Sequence, residues 1–240
     1  MPNDLRGRTA LVTGASRGIG LAVARALSSH GAHVAITGRD RSTLEQAAGA
    51  VADAGGSVSP VVADVRDAAQ AQHAVDEAAS RHGGIDIVVN NAGVGVFANV
   101  ADMTLEQWMQ VLGTNLIGVF NVCHAAIPQL RRRGGGTIVN ISSLAGKNPF
   151  VGGAAYCASK AGLNAFTEAL MQEVRHENIR VSAIAPGSVA TGFSGGDPAA
   201  GAGWKSAPED VAELVLAIVH MDPRSIPSYM ELRPSKPPRR

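Results

Sequence analysis

Short apolar runs alternate along the chain with longer segments in which apolar residues recur at helical spacing. Apolar runs rich in valine and isoleucine predict strands, whereas recurrence at helical spacing predicts helices. We predict strands at 9–14, 33–38, 58–65, 85–93, 136–143, 179–187 and 228–232. We predict helices at 18–31, 42–56, 67–84, 105–132, 155–177 and 208–221, the last one with Ser206 as its N-cap.

The predicted strands contain near-continuous valine, isoleucine and alanine, which indicates a sheet that is buried on both faces. Regular strand–helix alternation is typical of the α/β class. We therefore predict a doubly wound, Rossmann-like parallel sheet of about seven strands in a three-layer αβα arrangement. Because no Pro/Ser-rich linker interrupts the alternation, we predict a single domain over 1–232 and a flexible, basic, Pro-rich tail over 233–240.

Composition and charge exclude several functions. The 240 residues are 45% hydrophobic and 17% charged, and 21 Lys and Arg balance 20 Asp and Glu. Nucleic-acid and membrane-surface binders usually show a basic excess, so we expect neither partner. Cys123 and Cys157 lack the paired spacing of a redox or zinc site. We therefore expect no metal site. Since the N-terminus lacks a signal-peptide core and no apolar run reaches ~18 residues, we expect a cytoplasmic protein.

A glycine-rich turn, "TGASRGIG", joins the first predicted strand to the first helix and contains Gly14, Gly18 and Gly20. Glycines let the chain approach a ligand closely, and the helix N-terminus offers N–H groups and partial positive charge to a phosphate. This position favours the hypothesis of a dinucleotide diphosphate. A tight turn without a ligand is the alternative, whereas a P-loop is excluded because no Gly-Lys-Ser/Thr follows.

The end of the second predicted strand bears on which dinucleotide would bind. NAD-binding folds place an acidic residue about 20 positions further on, where it receives the ribose hydroxyls. Here the strand ends in Gly38 followed by Arg39, and Arg17 lies within the glycine turn. Guanidinium groups pair well with a 2′-phosphate, so NADP(H) is favoured over NAD(H). Both arginines could instead be solvated turn residues, and Asp40 could bind the ribose in a shifted register.

Polar residues also follow the third and fourth predicted strands, at the edge where ligands bind in open α/β sheets. Asp64 and Val65 follow the third strand, and Asp64 could hold the adenine amino group. "NNAG" (90–93) follows the fourth strand and could line the adenosine ribose. The alternative for Asn90 and Asn91 is hydrogen bonding that fixes the loop at the end of the sheet.

Six motifs occur in order along the chain: "TGASRGIG", "NNAG", Asn115, "NISS", "YCASK" and "PGSVAT". In this order and approximate spacing they resemble the short-chain dehydrogenase/reductase family, in its short single-domain branch. The resemblance runs from about Thr9 to Thr191. It implies an oxidoreductase whose single domain both binds a nicotinamide dinucleotide and carries the catalytic residues.

The resemblance implies four catalytic residues. Tyr156 would donate a proton to the developing alkoxide, and Ser143 would hydrogen-bond the substrate oxygen. Lys160 would hold the nicotinamide ribose and lower the tyrosine pKa from its ordinary value of about 10. Asn115 would help to hold a water chain leading to Lys160. As alternatives, Ser142 could replace its neighbour Ser143, Asn115 could form a structural hydrogen bond, and the tyrosine and lysine could be helix surface.

The resemblance also implies a cofactor-binding set spread over the strand ends. "PGSVAT" would form a turn near the nicotinamide, and Ile19 would pack on the nicotinamide side of the glycine turn. The cofactor-binding set also includes Tyr156 and Lys160; its other members are Gly14, Ser16, Arg17, Gly18, Ile19, Gly20, Arg39, Asp64, Val65, Asn91, Ala92, Gly93, Pro186, Gly187, Val189 and Thr191. Candidates for an apolar substrate wall, which could equally be core or subunit contacts, are Val94, Phe97, Phe150, Val151, Phe193 and Trp204.

The C-terminus departs from the family pattern, because "SIPSYMELRPSKPPRR" lacks the terminal glycine pair of many bacterial members. This departure weakens the transfer of tetramerisation and of 3-oxoacyl carrier-protein reductase activity, for which 131–133 is the obvious basic docking cluster.

We predict an NADPH-dependent oxidoreductase that reversibly reduces a ketone or aldehyde. A homodimer or homotetramer would form through 105–132 and 157–176, and the Gly/Ala-rich loop 192–203 would be a mobile lid. The alternatives are a 3-oxoacyl carrier-protein reductase and a non-enzymatic NADP-binding protein.

Overall fold

The computed structural model describes residues 4–195, 197, 199 and 203–238. Its strands are β1 (Thr9–Val12), β2 (His33–Gly38), β3 (Ser57–Val62), β4 (Ile87–Asn90), β5 (Gly136–Ile141), β6 (Ile179–Pro186) and β7 (Tyr229–Leu232). Its α-helices are α1 (Gly18–Ser29), α2 (Arg41–Ala52), α3 (Ala68–His82), α4 (Leu105–Leu112), α5 (Gly118–Arg133), α6 (Ala154–Val174) and α7 (Pro208–His220). Every predicted strand is confirmed, with ends that differ by a few residues.

The strands form one parallel sheet in the order β3-β2-β1-β4-β5-β6-β7. The chain builds outward from β1 to β3 and then returns to the other side of β1 with β4. The predicted doubly wound, Rossmann-like sheet is therefore confirmed. In such sheets ligands bind where the strand order reverses, so the carboxyl ends of β1 and β4 mark the expected position of a site.

Helices cover both faces of the sheet and complete three layers. On one face, α1, α2 and α7 bury an apolar cluster that includes Leu27, Leu44 and Ile218. On the other face, α3, α5 and α6 bury a second cluster around Leu130 and Leu163. Burial from both sides explains why the strands read as continuous apolar runs rather than as alternating ones.

The predicted helix 105–132 is divided at its centre, because a π-helical turn, Gly113–Ile117, separates α4 from α5. Within this turn Asn115 is fully buried, and its amide oxygen accepts the N–H of Val94 at 2.8 Å. A Cβ on Gly118 would lie 2.6 Å from Cγ2 of Val65, so glycine lets α5 approach that segment. Wide turns of this kind inside helices often occur at functional sites.

Ser206 is not the N-cap of α7, so that prediction is wrong. Its backbone instead pairs with the segment after β6: its N–H donates to Ser188 O at 3.1 Å, and its carbonyl accepts from Ala190 N–H at 2.9 Å. This extended pairing places Ala207 at the N-cap, where its N–H donates to the Asp210 carboxylate at 2.8 Å.

Among the described residues, the run Leu105–Arg133 is long and apolar enough to cross a membrane, although no such run was expected from the sequence. Half of its apolar window is buried inside the protein, where α5 contacts α3 and α4 contacts α6. Core helices meet the same criteria of length and composition, so the run by itself does not indicate a membrane span.

The segment after β7 continues alongside the residue that follows β6. Arg233 pairs with Glu231 at 2.9 Å, and Pro234 lies beside Gly187, where an added Cβ would be 3.3 Å from Pro234 Cδ. The domain end at 232 and the flexible tail stay predictions, and residues 239 and 240 lie outside the described part of the chain. The same holds for the predicted mobile loop, of which residues 196, 198 and 200–202 lie outside it.

Candidate active site

A cleft of about 640 Å³ opens at the carboxyl ends of the strands. The predicted catalytic residues Ser143, Tyr156 and Lys160 line it. So do most of the predicted cofactor residues, namely Gly14, Ser16, Arg17, Gly18, Ile19, Arg39, Asp64, Val65, Asn91, Ala92, Gly93, Pro186, Gly187, Val189 and Thr191. The fold thus brings residues from distant parts of the sequence into one cavity.

The glycine turn holds two glycines in the left-handed region that other residues rarely adopt. Gly14 has φ +61°, and a Cβ there would lie 2.7 Å from Cα of Ala92. Gly18 has φ +57°, and its Cβ would lie 3.3 Å from Cγ2 of Thr191. Among the described residues, no side chain caps the first turn of α1 at Arg17. The first N–H groups of α1 are therefore available as donors to a diphosphate.

The loop after β4 is fixed to the glycine turn. Thr13 Oγ1 accepts the N–H groups of Asn91 and Ala92, each at 3.0 Å. The side-chain amide of Asn91 donates to the carbonyls of Thr13 and Gly14, each at 3.0 Å. A Cβ on Gly20 would lie 2.5 Å from Nδ2 of Asn91. Asn91 therefore fixes the loop, as its alternative interpretation predicted, and Gly20 permits this packing from outside the cleft lining.

Two arginines line the cleft where the 2′-phosphate of NADP was predicted, and Asp40, the carboxylate weighed as an alternative there, is engaged elsewhere. Arg17 and Arg39 both line the cleft. Asp40 caps α2 instead, where its carboxylate accepts the Thr43 N–H at 2.9 Å and the Ser42 hydroxyl at 3.0 Å. The hydrogen bonds from Thr43 and Ser42 hold the pKa of the Asp40 carboxyl below its ordinary value.

Asp64 is held by a neighbouring arginine on the wall of the cleft. Nε of Arg66 donates to both carboxylate oxygens, at 3.0 and 2.9 Å. Hydrogen bonding from Arg66 lowers the pKa of the Asp64 carboxyl, and attraction to Arg39 adds to this effect. The carboxylate is therefore ionised and oriented, and its contact with adenine stays a prediction.

The candidate proton donor lies between the end of β5 and the first turns of α6. Tyr156 and Ser143 both line the cleft, and Ser143 lies close enough to influence the pKa of the Tyr156 phenol. Ser143 Oγ also accepts the Ala145 N–H at 3.1 Å. Lys160 Nζ donates to the Ile141 carbonyl at 2.8 Å and lies 5.8 Å from the centre of the Tyr156 ring. The Ser143 and Tyr156 hydroxyls thus converge on a point where a substrate oxygen could accept from both.

Burial dominates the ionisation of this centre. It raises the pKa of the Tyr156 phenol, against a smaller lowering by the hydrogen bond from Ser143. It also lowers the pKa of the Lys160 ammonium to about 8. The raised pKa of Tyr156 holds for the chain by itself, in which Lys160 donates to a carbonyl and the phenol is desolvated. The lowering predicted from Lys160 together with an oxidised nicotinamide stays a prediction. A raised pKa keeps the phenol protonated at neutral pH, as a proton donor requires.

Asn115 lies buried behind the cleft. Its amide oxygen accepts the Val94 N–H at 2.8 Å, and its amide nitrogen donates to the Val94 carbonyl at 2.9 Å and to Ser159 Oγ at 3.0 Å. Ser159 Oγ in turn donates to the Tyr156 carbonyl at 2.7 Å. The structural hydrogen bonds weighed as an alternative are thus observed, and the water-chain role stays a prediction.

The two serines at the end of β5 have different partners. Ser142 Oγ donates to Asn164 Oδ1 at 2.6 Å, and the Ser142 N–H donates to Ile184 O at 2.7 Å. Ser143, by contrast, lies close enough to influence the pKa of the Tyr156 phenol, and its Oγ accepts only a backbone N–H, that of Ala145, among the described residues. The geometry therefore favours Ser143 over Ser142 as the substrate-binding serine, as the spacing to Tyr156 predicts.

The predicted substrate wall is assembled only in part. Val94 and Phe193 line the cleft, and the Phe193 ring lies 5.6 Å from that of Tyr156. The Phe97 ring meets the Tyr156 ring edge-on at 5.7 Å, and Phe150 contacts Phe97 at 5.7 Å. Four of the six candidates thus surround the tyrosine and the cleft mouth.

The other two wall candidates lie elsewhere. Val151 is 94% exposed, and Trp204 lies beside Lys205, whose Nζ is 5.9 Å from the indole centre. Both lie outside the cleft lining, which Lys205 itself joins. Val151 follows Phe150 in a turn that points it to solvent, a local detail that composition could not reveal.

Three polar residues position the site although they were not singled out from the sequence: the buried Thr13 and Ser159, which lie within the motifs, and the half-buried Asn164. Thr13 holds the loop after β4, Ser159 holds Asn115, and Asn164 holds Ser142. Ser159 and Asn164 stand one helical turn after Tyr156 and Lys160 along α6, so they share a face with them. A polar residue at this spacing within an apolar helix is the signal that could have identified these two.

These features define a dinucleotide-dependent oxidoreductase: a Rossmann-like sheet, an uncapped glycine turn, and a serine, tyrosine and lysine at the ends of β5 and α6. Residues 8–199 match the family model described as short chain dehydrogenase. The chain therefore belongs to the short-chain dehydrogenase/reductase family.

Curated relatives agree with this assignment. The chain is 40% identical over 197 residues to the 3-oxoacyl-(acyl-carrier-protein) reductase FabG of Chlamydia muridarum. This match covers 82% of this chain and 79% of the relative. It is 39% identical over 193 residues to dehydrogenase/reductase SDR family member 4 of Oryctolagus cuniculus, spanning 80% of this chain and 74% of the relative.

Solved structures give the same fold over nearly the whole chain. A metagenomic short-chain oxidoreductase in complex with NADP superposes with a TM-score of 0.86 at 35% identity, covering 97% of this chain and 99% of its own. An alcohol dehydrogenase of Thermococcus sibiricus complexed with 5-hydroxy-NADP superposes with a TM-score of 0.89 at 28% identity, with coverage of 97% and 99%.

Proposed function

We propose that this protein is an NADPH-dependent carbonyl reductase that converts a ketone or aldehyde to an alcohol, reversibly. One observation carries the proposal: Ser143 and Tyr156 line the same cleft, with Lys160 buried one helical turn beyond the tyrosine. A carbonyl oxygen between the two hydroxyls could accept a hydrogen bond from each of them.

The residues divide the reaction between them. When bound, the reduced nicotinamide supplies the hydride. Ser143 donates a hydrogen bond to the carbonyl oxygen, and Tyr156 gives its hydroxyl proton to the same oxygen as negative charge develops. Lys160 holds the nicotinamide ribose and places positive charge near the phenolate that proton transfer leaves behind. In the oxidation direction the same phenolate accepts the alcohol proton.

Preference for NADPH rests on the adenosine end of the cleft. Arg17 and Arg39 offer guanidinium groups to the 2′-phosphate, and the end of β2 carries Gly38 where an NAD-binding carboxylate would stand. Asp40 is engaged in capping α2. Two structural relatives crystallised with NADP or a derivative of it support the same choice.

The alternative of a carrier-protein reductase is supported by the relative from Chlamydia muridarum, but the basic cluster that would dock an acidic carrier is poorly placed. Arg131 pairs with Glu177, and Arg133 bonds to Asp86 at 3.0 Å, at the end of α5 that leads into the start of β5. That edge of the sheet is opposite to the cleft. The non-enzymatic alternative is disfavoured because Ser143, Tyr156 and Lys160 are all in place.

We also propose a homodimer or homotetramer in the cytoplasm. Four large apolar side chains on α4, the π-helical turn and α5 face solvent in the single chain, namely Leu105, Met109, Ile117 and Phe120. Such a patch is typical of a subunit interface. Both cysteines carry free, buried thiols, which is compatible with a reducing compartment.

A panel of ketones and aldehydes, followed by the absorbance of NADPH, tests the proposed function. We expect carbonyl-dependent oxidation of NADPH that is faster than that of NADH at equal concentration. A folded protein that binds NADPH yet reduces no carbonyl would support the non-enzymatic alternative. Reduction of a carrier-protein thioester far in excess of free ketones would support the carrier-protein alternative.

A further inference from the structure

Aromatic side chains are concentrated around the catalytic tyrosine. The chain contains only five phenylalanines among its 240 residues. Three of them form a continuous set of ring contacts with Tyr156: Phe97 at 5.7 Å, Phe193 at 5.6 Å, and Phe150 through Phe97 at 5.7 Å. We call these three phenylalanines the aromatic wall.

The aromatic wall keeps its rings open to solvent. Phe97, Phe150 and Phe193 are 47%, 48% and 39% exposed although each contacts another ring. Burying exposed aromatic surface against a bound apolar group is favourable. The rings therefore offer exposed apolar surface beside the ring of the proton donor.

Two of the three wall residues are held by backbone pairing, whereas Phe193 lies in a short 3-10 turn, Phe193–Gly195, within the loop after β6. Ala98 N–H donates to Gly152 O at 2.9 Å and so joins the loop of Phe97 to the turn of Phe150. A Cβ on Gly153 would lie 2.6 Å from Cε2 of Phe150, so a larger residue there would displace that ring. The segments 94–98 and 149–153 contain no charged residue. The part of the wall formed by Phe97 and Phe150 is accordingly apolar, aromatic and held in position by the fold.

We infer that the preferred substrate carries an aromatic ring directly attached to, or one bond removed from, its carbonyl group. This inference rests on the proposed carbonyl reduction. Phe97 and Phe193 both contact the ring of Tyr156, whose hydroxyl must reach the carbonyl oxygen. A substrate group that contacts both phenylalanines must therefore lie within a bond or two of the carbonyl carbon.

An aromatic ring gains more from this wall than an aliphatic group of the same size. Aromatic pairs with centroids about 4.5–7 Å apart are stabilised beyond the burial of their area, by offset or edge-to-face contact. The wall already uses this geometry, since Phe97 meets Tyr156 at 76° and Phe193 meets it at 55°. A saturated ring would bury similar area without this additional attraction.

Acetophenone and cyclohexyl methyl ketone provide a matched pair of probes, because they share a carbon skeleton and differ only in the aromaticity of the ring. We define the ring ratio as kcat/KM for acetophenone divided by kcat/KM for cyclohexyl methyl ketone. Phe97→Leu and Phe193→Leu should each lower the ring ratio about three- to tenfold, mainly through KM. Comparison between variants cancels the intrinsic difference in reactivity of the two ketones.

Two controls accompany these variants. Phe120→Leu removes a phenylalanine that is 51% exposed on α5 and contacts His124, and it should leave the ring ratio unchanged. Phe97→Tyr keeps the ring and should restore the ratio lost in Phe97→Leu. Thermal denaturation checks that each variant is folded.

Binding of acetophenone to the NADP-loaded protein, observed by saturation transfer to its ring protons, separates this inference from the proposed function. Binding that weakens in Phe97→Leu without any turnover would overturn the proposed function and retain the aromatic site. Turnover of both ketones with a ring ratio that is unchanged in both wall variants would overturn the inference and retain the function. Equal losses for both ketones would also overturn it, because they would indicate an apolar wall without aromatic preference.

Discussion

The two edges of the sheet carry polar residues that are satisfied in different ways. At the amino edge, Asp86 is 2% exposed, and its carboxylate accepts from Arg8 at 2.7 Å, Arg133 at 3.0 Å and the Thr9 N–H at 2.9 Å. At the carboxyl edge, the buried groups are bonded mainly to neutral backbone and side-chain partners, as Lys160 is to the Ile141 carbonyl.

The two edges also differ in how their buried charged groups are compensated. Burial raises the pKa of the Asp86 carboxyl, but hydrogen bonds from Thr9, Arg133 and Arg8 outweigh it and leave the pKa below its ordinary value. Charge there is fully compensated. Lys160 has no such compensation, and burial alone lowers its pKa to about 8. A buried group with a strongly shifted pKa beside a cleft is typical of an active site.

Lys160→Met should give the largest effect on activity. We expect carbonyl reduction to fall at least about a hundredfold, because the ribose contact and the charge beside the phenolate are both lost. Stability at pH 7 should be retained or increased. The folded-state pKa of about 8 lies below the ordinary 10.5, so the cost of burying the ammonium is fully present below pH 8 and is relieved as pH rises toward 10.5.

Steady-state kinetics and thermal denaturation of Lys160→Met check this expectation. Lys236→Met, a change of the same chemistry at an exposed residue outside the cleft lining, serves as the matched variant and should keep the wild-type turnover. A Lys160→Met protein that retains wild-type turnover would remove the lysine from the mechanism.

Asp86→Ala should show the reverse pattern at the amino edge. Loss of the buried carboxylate leaves the Thr9 N–H without its acceptor and two arginines without their counter-charge. Hydrogen bonds to charged groups contribute about 1.5–3 kcal/mol, and the arginines can regain water, so we expect a loss of about 2 kcal/mol in the free energy of unfolding. Urea denaturation measures it. At temperatures and urea concentrations below the unfolding transition, turnover should stay near that of the wild type. A strong loss of turnover under those conditions would show that the amino edge also bears on function.

Arg39→Ala should produce a smaller, selective effect. Removing a charge-assisted contact to the 2′-phosphate should weaken NADPH binding about tenfold and leave NADH binding nearly unchanged. Gly38→Asp should shift preference further toward NADH, since the tightest contact of its Cβ would be the end of the Leu44 side chain at 3.3 Å, with Ser16 at 3.7 Å. Fluorescence titration with both cofactors measures the ratio. An unchanged NADPH/NADH ratio in both variants would show that the 2′-phosphate binds elsewhere.

Local patterns predicted much of this molecule because the relevant contacts are local. Tyr156 and Lys160 lie on one helix, and the glycine turn joins consecutive elements. Their spacing in the sequence therefore predicts their positions in the fold, whereas their roles are implied by the family resemblance. The π-helical turn could not be predicted, since it depends on Asn115 meeting Val94, a residue far away in sequence. Burial, which the sequence does not display, raises the tyrosine pKa in the chain by itself, and the lowering expected with an oxidised nicotinamide stays a prediction.

The ends of elements and the substrate wall show the same limit. Ser206 has the right side chain for an N-cap, but its backbone pairs with the segment after β6. Phe150 and Val151 are adjacent and both apolar, yet Phe150 contacts the ring of Phe97 while Val151 is 94% exposed. These outcomes depend on which segments meet in three dimensions.

The central claim is that Tyr156 supplies the proton for carbonyl reduction at the carboxyl edge of the sheet. Single-turnover reduction of acetophenone with NADPH deuterated at C4 tests it most directly, in the wild type and in Tyr156→Phe. We predict that the wild type places deuterium on the carbinol carbon, and that the variant binds NADPH equally well but transfers deuterium about 10²- to 10⁴-fold more slowly. Transfer at the wild-type rate by a folded Tyr156→Phe protein would contradict the account.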